Sequence, residues 1–123
     1  MRVLLILGAA GALLLSGCAT QPAKYSWGNY ENSLYSYYKD PAKSAEYQAE
    51  LASLITNSES SGKPVAPGLY AEYGFQLLQS GQNKDAIAQF EKEKAKWPES
   101  VYLMNNMIRI ASNASTKTVA VKE

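Results

Sequence analysis

The strongest constraint on the fold is a pair of small residues, Gly74 and Ala86, each in the middle of an amphipathic segment. The first segment runs from about Leu69 to Ser80 and is followed by Gly81; the second runs from Asn83 to Trp97-Pro98. Apolar residues recur in both at helical spacing, and the flanking Gly and Pro are typical helix stops. Small side chains at a crossing point let two antiparallel helices approach closely. The sequence therefore predicts a tight helical hairpin, with Asn83 capping its second helix.

This hairpin matches the tetratricopeptide pattern over its full period of about 34 residues. Glu93 stands where the pattern usually has Ala, which indicates that this side of the second helix faces solvent. Pro98 ends the repeat. The alternative is a generic helical hairpin in which Gly and Ala occupy favourable positions by chance. The large residues expected to surround the contact between the two helices are Tyr70, Tyr73 and Phe90.

Helical patterns continue on both sides of this hairpin. Aromatic residues are dense from Tyr25 to Tyr38, and Asp40-Pro41 is typical of a helix start. The stretch from Asn57 to Pro67 is rich in Ser, Gly and Pro and is predicted to be a loop. The last helix is expected over about Glu99 to Ser112. The predicted fold class is all-α, with about two tetratricopeptide-like helical hairpins and a C-terminal capping helix.

The first hairpin is interpreted as a degenerate copy of the repeat. Its second helix is predicted to carry a stripe of Ala45, Ala49 and Ala52, and Ala45 is aligned with Ala86 of the complete repeat. The long loop would absorb the extra residues between them. The apolar residues beside this stripe that are expected in the core are Leu51, Leu54 and Ile55. Along the last helix, the expected core residues are Val101, Met104, Met107, Ile108 and Ala111.

The chain begins with the pattern of a lipoprotein export signal. Met1-Arg2 supplies a positive charge, Val3 to Leu15 is an apolar run, and Leu15-Ser16-Gly17-Cys18 follows. A helix of about 13 residues rises only about 20 Å, short of the roughly 30 Å hydrocarbon core of a bilayer. Residues 1–17 are therefore predicted to be a cleaved signal peptide, and Cys18 to carry N-acyl and S-diacylglycerol lipid. The alternative is an ordinary secretory signal with a Cys nearby by chance.

The predicted lipid sets the location of the protein. Two or more acyl chains anchor a protein stably in a membrane, and residues 18–24 form a tether in which the six residues after Cys18 span about 20 Å at most. Ala19 stands where an Asp commonly retains a lipoprotein at the inner membrane. The expected location is therefore the inner leaflet of the outer membrane, facing the periplasm. The helical domain is expected over residues 25–114, with a flexible tail over 115–123 in which Thr118 to Val121 could form a short strand.

Charge and composition argue against several classes of function. Removing residues 1–17 from the 123 leaves a mature chain of 106 residues, and the loss of Arg2 reduces the 12 basic residues to 11, equal to the 11 acidic ones. A mature chain near neutrality argues against nucleic-acid binding. His is absent and the one Cys is predicted to be acylated, which removes the commonest general base, metal ligand and thiol nucleophile. Glu46 and Glu50 share a helix face but are expected to be solvated. No enzyme activity, metal, cofactor or small-molecule substrate is therefore expected.

Aromatic and apolar residues supply the candidate contacts with partners. Tyrosines and Trp27 near the tether could stack on glycan rings or lie among lipid headgroups, or Trp27 could instead belong to the core. Phe75 and Leu78 lie on the face that binds peptides in tetratricopeptide units, unless the first hairpin covers them. Leu103 and Ile110 lie off the core stripe of the last helix, either as a partner surface or as a wider capping contact. The complete set of partner-binding candidates is Trp27, Tyr35, Tyr38, Phe75, Leu78, Leu103 and Ile110.

Two stretches carry a resemblance to a known family. Tyr25-Ser26-Trp27-Gly28-Asn29-Tyr30 resembles the N-terminal motif of small bacterial lipoproteins built on a domain of unknown function, and Pro67 to Gly74 together with Trp97-Pro98-Glu99-Ser100 are similar to its second half. Members tend to be encoded near lipoproteins similar to the curli secretion-channel protein. The resemblance implies an accessory part in an outer-membrane export or assembly system, and it carries no catalytic residues.

The expected function is a non-catalytic scaffold or accessory factor of an envelope export or assembly complex. Its partners would be the membrane, through the lipid on Cys18, and a protein of the envelope such as another lipoprotein. The alternative is a module that binds glycan or lipid headgroups through the aromatic cluster around Trp27.

Overall fold

The computed structural model describes residues 22–120, with side chains up to residue 117. The predicted signal peptide and Cys18 lie outside this range. The described residues form five α-helices and no strand, which confirms the all-α fold class. Short 3-10 turns precede the second and fifth helices, at Pro41–Lys43 and Pro98–Ser100. The helices are α1 (Tyr30–Lys39), α2 (Ser44–Ser60), α3 (Leu69–Gln79), α4 (Asn83–Lys96) and α5 (Val101–Ala120).

The helices pack in chain order, each mainly on its neighbours in the sequence. Two clusters of buried side chains lie between them, and Tyr73 of α3 packs against both. This order is the one expected of stacked hairpins, in which each unit buries its apolar face on the next. The first cluster consists of Tyr47, Leu51, Ile55, Val65, Ala66, Leu69 and Tyr70, and the second of Leu77, Ala86, Phe90, Met104 and Ala111.

The close contact between α3 and α4 is the one predicted from the sequence. Gly74 is buried, and a Cβ added to it would lie 2.6 Å from Cε1 of Phe90 and 3.2 Å from the carbonyl oxygen of Ala86. Phe90 and Ala86 are both fully buried. Any side chain at residue 74 would therefore push the two helices apart, which is the physical reason for Gly at this crossing point.

The expectation that Glu93 faces solvent is wrong. Its side chain is only 1% exposed, because α5 and the start of α3 cover this side of α4. Oε1 of Glu93 accepts a hydrogen bond from the backbone N–H of Gly68 (2.8 Å) and lies 3.3 Å from the hydroxyl of Ser100, which donates to it. Gly68 is the residue before α3, and the first N–H groups of a helix have no partner within it. The carboxylate thus accepts a hydrogen bond from a backbone N–H at the start of α3 and is not solvated.

The alanine stripe of α2 lies outside the core. Ala45 and Ala49 are exposed, and Ala52 is half-buried. The buried face carries larger side chains, since these remove more apolar surface from water when they are buried. The proposed equivalence of Ala45 with Ala86 is therefore wrong. The buried residues of α2 are Tyr47, Leu51, Leu54, Ile55 and Ser58.

Several helix ends differ from the predicted ones. α2 continues to Ser60, so the first four residues of the predicted loop are helical. Asp40 does act as a cap, but for the 3-10 turn, where its side chain accepts a hydrogen bond from the N–H of Ala42 (3.1 Å). The residue before α4 is Gln82, and Asn83 is its first helical residue.

The last helix is longer than predicted. It was expected to end near Ser112 and continues to Ala120, so residues 115–120 are helical where a flexible tail with a short strand was predicted. Met104 and Ala111 are buried as expected, but Val101 is 38% exposed and is not a core residue. The sequence of α5 contains no Gly or Pro to stop it, and helix ends without such signals are difficult to place.

Candidate interaction surfaces

The predicted binding residues lie on four separate parts of the molecule rather than at one site. Trp27 is on the segment before α1, two candidates are on α1, two on α3 and two on α5. Leu78 is half-buried against the second core cluster and offers little free surface. The other six are exposed large side chains: Trp27 (47%), Tyr35 (62%), Tyr38 (79%), Phe75 (43%), Leu103 (58%) and Ile110 (48%).

Two further exposed residues of α5 were missed by the sequence analysis. Tyr102 is 83% exposed, and Val101 is exposed although its spacing placed it in the core. The sequence did contain a sign of this exposure. Val101, Tyr102 and Leu103 are three consecutive large residues at the start of a helix, and three consecutive residues cannot all face one core. We define the α5 apolar face as Tyr102, Leu103 and Ile110, since Val101 lies on the opposite side of the helix from Leu103 and Ile110.

The α5 apolar face lies at the end of the helical stack. Helical arrays usually end in a unit with a polar outer surface, which keeps the end of the array soluble. α5 instead places large apolar side chains in solvent, and residues 101–117 contain only two charged side chains, Arg109 and Lys117. Clustered exposed apolar residues are typical of contact surfaces.

A run of aromatic rings holds the segment before α1 against the rest of the domain. The ring of Tyr25 lies edge-on to Trp27 and to Trp97, with both centroid distances 6.4 Å. Trp27 is 5.5 Å from Tyr30, and Tyr30 is 6.3 Å from the buried Tyr47 of α2. The sequence therefore brings its only two tryptophans to either side of one tyrosine, although they are far apart along the chain. Tyr37 completes the run by stacking on Tyr47 at 5.1 Å.

Trp27 also borders a shallow groove of about 270 Å³ beside α1. Most of its lining is apolar, with Glu31 as the one ionisable carboxylate, and the volume is large enough for one ring-sized group. Aromatic walls of this kind favour sugar rings or the interfacial part of a lipid. The groove is lined by Trp27, Gly28, Tyr30, Glu31 and Leu34.

Glu72 of α3 links three helices through two tyrosines. The hydroxyl of Tyr30 donates to Oε2 of Glu72 (2.8 Å), and the hydroxyl of Tyr47 donates to Oε1. Burial raises the pKa of both tyrosines above its ordinary value, and the hydrogen bond to the Glu72 carboxylate raises it further. Both hydroxyls therefore keep their protons at neutral pH and donate hydrogen bonds that hold α1 and α2 to α3.

A second carboxylate, Glu59 at the end of α2, joins α3 and α4. Its Oε1 accepts from the hydroxyl of Tyr70 (2.8 Å) and from Nζ of Lys92 (2.9 Å), and Lys92 lies 5.4 Å from the centre of the Tyr70 ring. The hydrogen bonds from Lys92 and Tyr70 lower the pKa of Glu59, while burial raises the pKa of Tyr70. Both polar clusters therefore connect helices across the stack.

The described part of the chain contains no group of His, Cys, Asp and Glu side chains arranged to hold a metal ion. None of the helices between residues 22 and 120 has the length and apolar character needed to cross a bilayer. Glu46 is exposed and Glu50 is half-buried, where it accepts a hydrogen bond from the N–H of Asn29 (3.0 Å).

These features define a small all-α protein of stacked helices with exposed apolar surfaces. The chain belongs to the DUF4810 family, a domain of unknown function, whose family model matches residues 24–107. The match spans α1 to α4 and the first part of α5, and it confirms the predicted resemblance to a family built on a domain of unknown function. No curated protein and no solved structure matches the chain.

Proposed function

We propose that this protein is a lipid-anchored scaffold of the cell envelope, held in the inner leaflet of the outer membrane by acyl chains on Cys18 and facing the periplasm. It acts without catalysis, as an accessory factor of an export or assembly complex, and binds another envelope protein such as a lipoprotein. The support for anchoring is the sequence Leu15-Ser16-Gly17-Cys18 after an apolar run. The short tether then keeps the helices within about 20 Å of the headgroups.

The α5 apolar face carries the proposal of a scaffold. Leu103 and Ile110 are about half exposed, and Tyr102 is almost wholly exposed. Leaving such side chains in water forfeits about 25 cal/mol for each Å² of apolar area that a partner could cover. A protein partner would recover this free energy, and aromatic residues are enriched in protein interfaces.

Affinity purification from detergent-solubilised membranes tests the scaffold. The full-length protein should recover a stoichiometric protein partner, and the Leu103→Glu/Ile110→Glu variant should lose it. The matched control is Ala88→Glu/Ala95→Glu, because these exposed alanines have the same spacing on α4. Equal recovery with both double variants, or no partner with the wild type, contradicts the proposal.

The groove beside Trp27 favours a second candidate function, the binding of a glycan or lipid headgroup. Trp27 is 47% exposed, so its ring is free to stack on a ligand. A Trp97→Phe variant leaves Trp27 as the only indole, and its fluorescence should shift when cell-wall fragments or phospholipid vesicles are added. Trp27→Phe is the control and should show no shift. An unchanged Trp27 signal with both ligands contradicts this candidate.

A further inference from the structure

Exposed aromatic side chains continue from the groove beside Trp27 along the outer side of α1. Leu34 lines this groove, and Tyr38 lies one helical turn further along α1, four residues later. Glu31 lines the groove too, and Tyr35 follows it at the same spacing. Tyr35 and Tyr38 are among the most exposed aromatic side chains described. We define the α1 aromatic face as Trp27, Tyr35 and Tyr38.

The packing of the domain leaves this face open. α1 packs through the half-buried Tyr30, Leu34 and Tyr37, which lie on its other side. The hydroxyls of Tyr35 and Tyr38 make no hydrogen bond with any of the described residues. Both rings therefore carry a polar tip in water, and neither is needed to hold α1 on α2.

A lysine lies beside a ring at each end of this part of the chain. Nζ of Lys24 is 5.3 Å from the centre of the Tyr25 ring, and Nζ of Lys39 is 5.5 Å from the centre of the Tyr35 ring. Both lysines are exposed, and Glu31 is the one carboxylate between them in the sequence. Aromatic rings with a polar edge, and lysines with long apolar stems, are the side chains that favour the boundary between headgroups and hydrocarbon.

We propose that the α1 aromatic face lies in the headgroup layer of the same bilayer that holds the lipid on Cys18, with α1 roughly parallel to the membrane. The three rings then lie among the headgroups, and the lysines at the two ends meet lipid phosphates. This names lipid as the ligand of the groove beside Trp27, and it rests on the lipid anchor of the proposed function.

The short tether is the reason for choosing a bilayer over a glycan or a protein. Six residues after Cys18 span about 20 Å at most, and the chain is held to the domain again at Tyr25, which packs on Trp97. A short flexible linker raises the effective concentration of a second contact to roughly the millimolar range. The anchor therefore keeps the bilayer close to the α1 aromatic face, whereas a glycan or a protein has to arrive by diffusion.

Quenching of Trp27 fluorescence by brominated lipid tests the contact. In the full-length Trp97→Phe lipoprotein, Trp27 is the one indole left. After reconstitution into phosphatidylcholine vesicles, its emission should fall when the lipid carries bromine near the top of the acyl chains. The matched control, Trp27→Phe/Trp97→Phe/Ala88→Trp, has its single indole at an exposed position of α4 and should be quenched far less.

Removing the other two rings tests the extent of the face. In the Trp97→Phe lipoprotein, Tyr35→Ser/Tyr38→Ser should reduce the quenching of Trp27, because two of the three rings in the headgroup layer are gone. Tyr102→Ser/Leu103→Ser removes two exposed side chains of α5 and should leave the quenching unchanged. Circular dichroism checks that both variants keep their helices. Equal quenching in both variants would contradict an extended contact of α1 with lipid.

Vesicle flotation measures the anchor separately from the contact. If the lipoprotein floats with the vesicles but Trp27 is quenched no more than the indole on α4, the contact of α1 is wrong and the anchor stands. If the lipoprotein does not float, both fail. A Trp27 signal that responds to cell-wall fragments and not to brominated lipid would assign the groove to a glycan and overturn the proposal.

Discussion

Glu93 is a carboxylate in an unusual environment, since it is almost fully buried in a domain held together by apolar contacts. The two ion pairs among the described residues, Lys92–Glu59 and Lys94–Glu91, do not include it. Its Oε1 instead binds the helix start at Gly68, while Oε2 is buried without a hydrogen-bond partner. A carboxylate is stabilised at a helix N-terminus by the N–H groups and the helix dipole. Glu93 therefore couples α3 to α4.

Glu93→Ala should lower the free energy of unfolding by about 1–3 kcal/mol, because the half-buried N–H of Gly68 would lose its hydrogen-bond partner. Glu93→Gln should cost less, since the amide oxygen still accepts this hydrogen bond. Chemical denaturation measures both. The exposed Glu91 supplies the control, and Glu91→Gln should change stability by less than about 0.5 kcal/mol. A Glu93→Ala protein as stable as the control would refute the coupling.

The raised pKa values of the buried tyrosines determine how the stability of the protein changes at alkaline pH. The pKa of Tyr47 and of Tyr70 is raised in the folded state by burial, above the ordinary value of about 10. The unfolded chain therefore loses these protons first as pH rises. Their contribution to stability is complete below about pH 10 and is lost as pH rises from there towards the folded-state pKa.

Unfolding measured from neutral pH to above pH 10 should show stability falling steeply on the alkaline side. Tyr47→Phe should make this fall shallower, because phenylalanine has no hydroxyl proton that the unfolded chain could lose before the folded state does. Tyr38→Phe, at an exposed position, should leave the slope unchanged. An equal slope in all three proteins would show that the buried tyrosines do not govern the alkaline limit.

At the scale of elements, the hairpin of α3 and α4 was predictable because its signals are local. Gly74, Ala86 and Phe90 form one contact and lie close together in the sequence. Gly and Pro residues mark the ends of the two helices. On α2, the buried Leu51, Leu54 and Ile55 were expected from the sequence, but the buried Tyr47 and Ser58 were not. Glu93 was misplaced because its hydrogen-bond partner Gly68 is distant in the sequence, just before the first helix of the hairpin. Of the candidate surfaces, exposed Leu103 and Ile110 were found, and Tyr102 was missed.

The first helix should be the least stable element. α1 has no buried residue and packs through half-buried Tyr30, Leu34 and Tyr37. Elements with few buried contacts open locally before the whole domain unfolds. Native-state hydrogen exchange should therefore show weaker protection in α1 than in α4, which contains the fully buried Ala86 and Phe90. Equal protection in the two helices would contradict this order.

At the scale of the whole molecule, anchoring and folding depend on different parts of the chain. The described residues pack into their two core clusters without Cys18, so Cys18→Ala should leave the helical domain folded. Membrane fractionation and circular dichroism should show a folded protein that no longer sediments with membranes. Full complementation of a deletion by Cys18→Ala would show that anchoring is not central to the function.

The central claim is that α5 is a protein-contact surface of an envelope protein. Photo-crosslinking in intact cells tests it most directly, with a photoreactive residue placed at Leu103 or Ile110 and, as controls, at the exposed Ala88 or Ala95 of α4. The α5 positions should give a discrete crosslinked protein product in the membrane fraction, and the α4 positions should give none. The absence of any product from α5, or the same products from both helices, would contradict it.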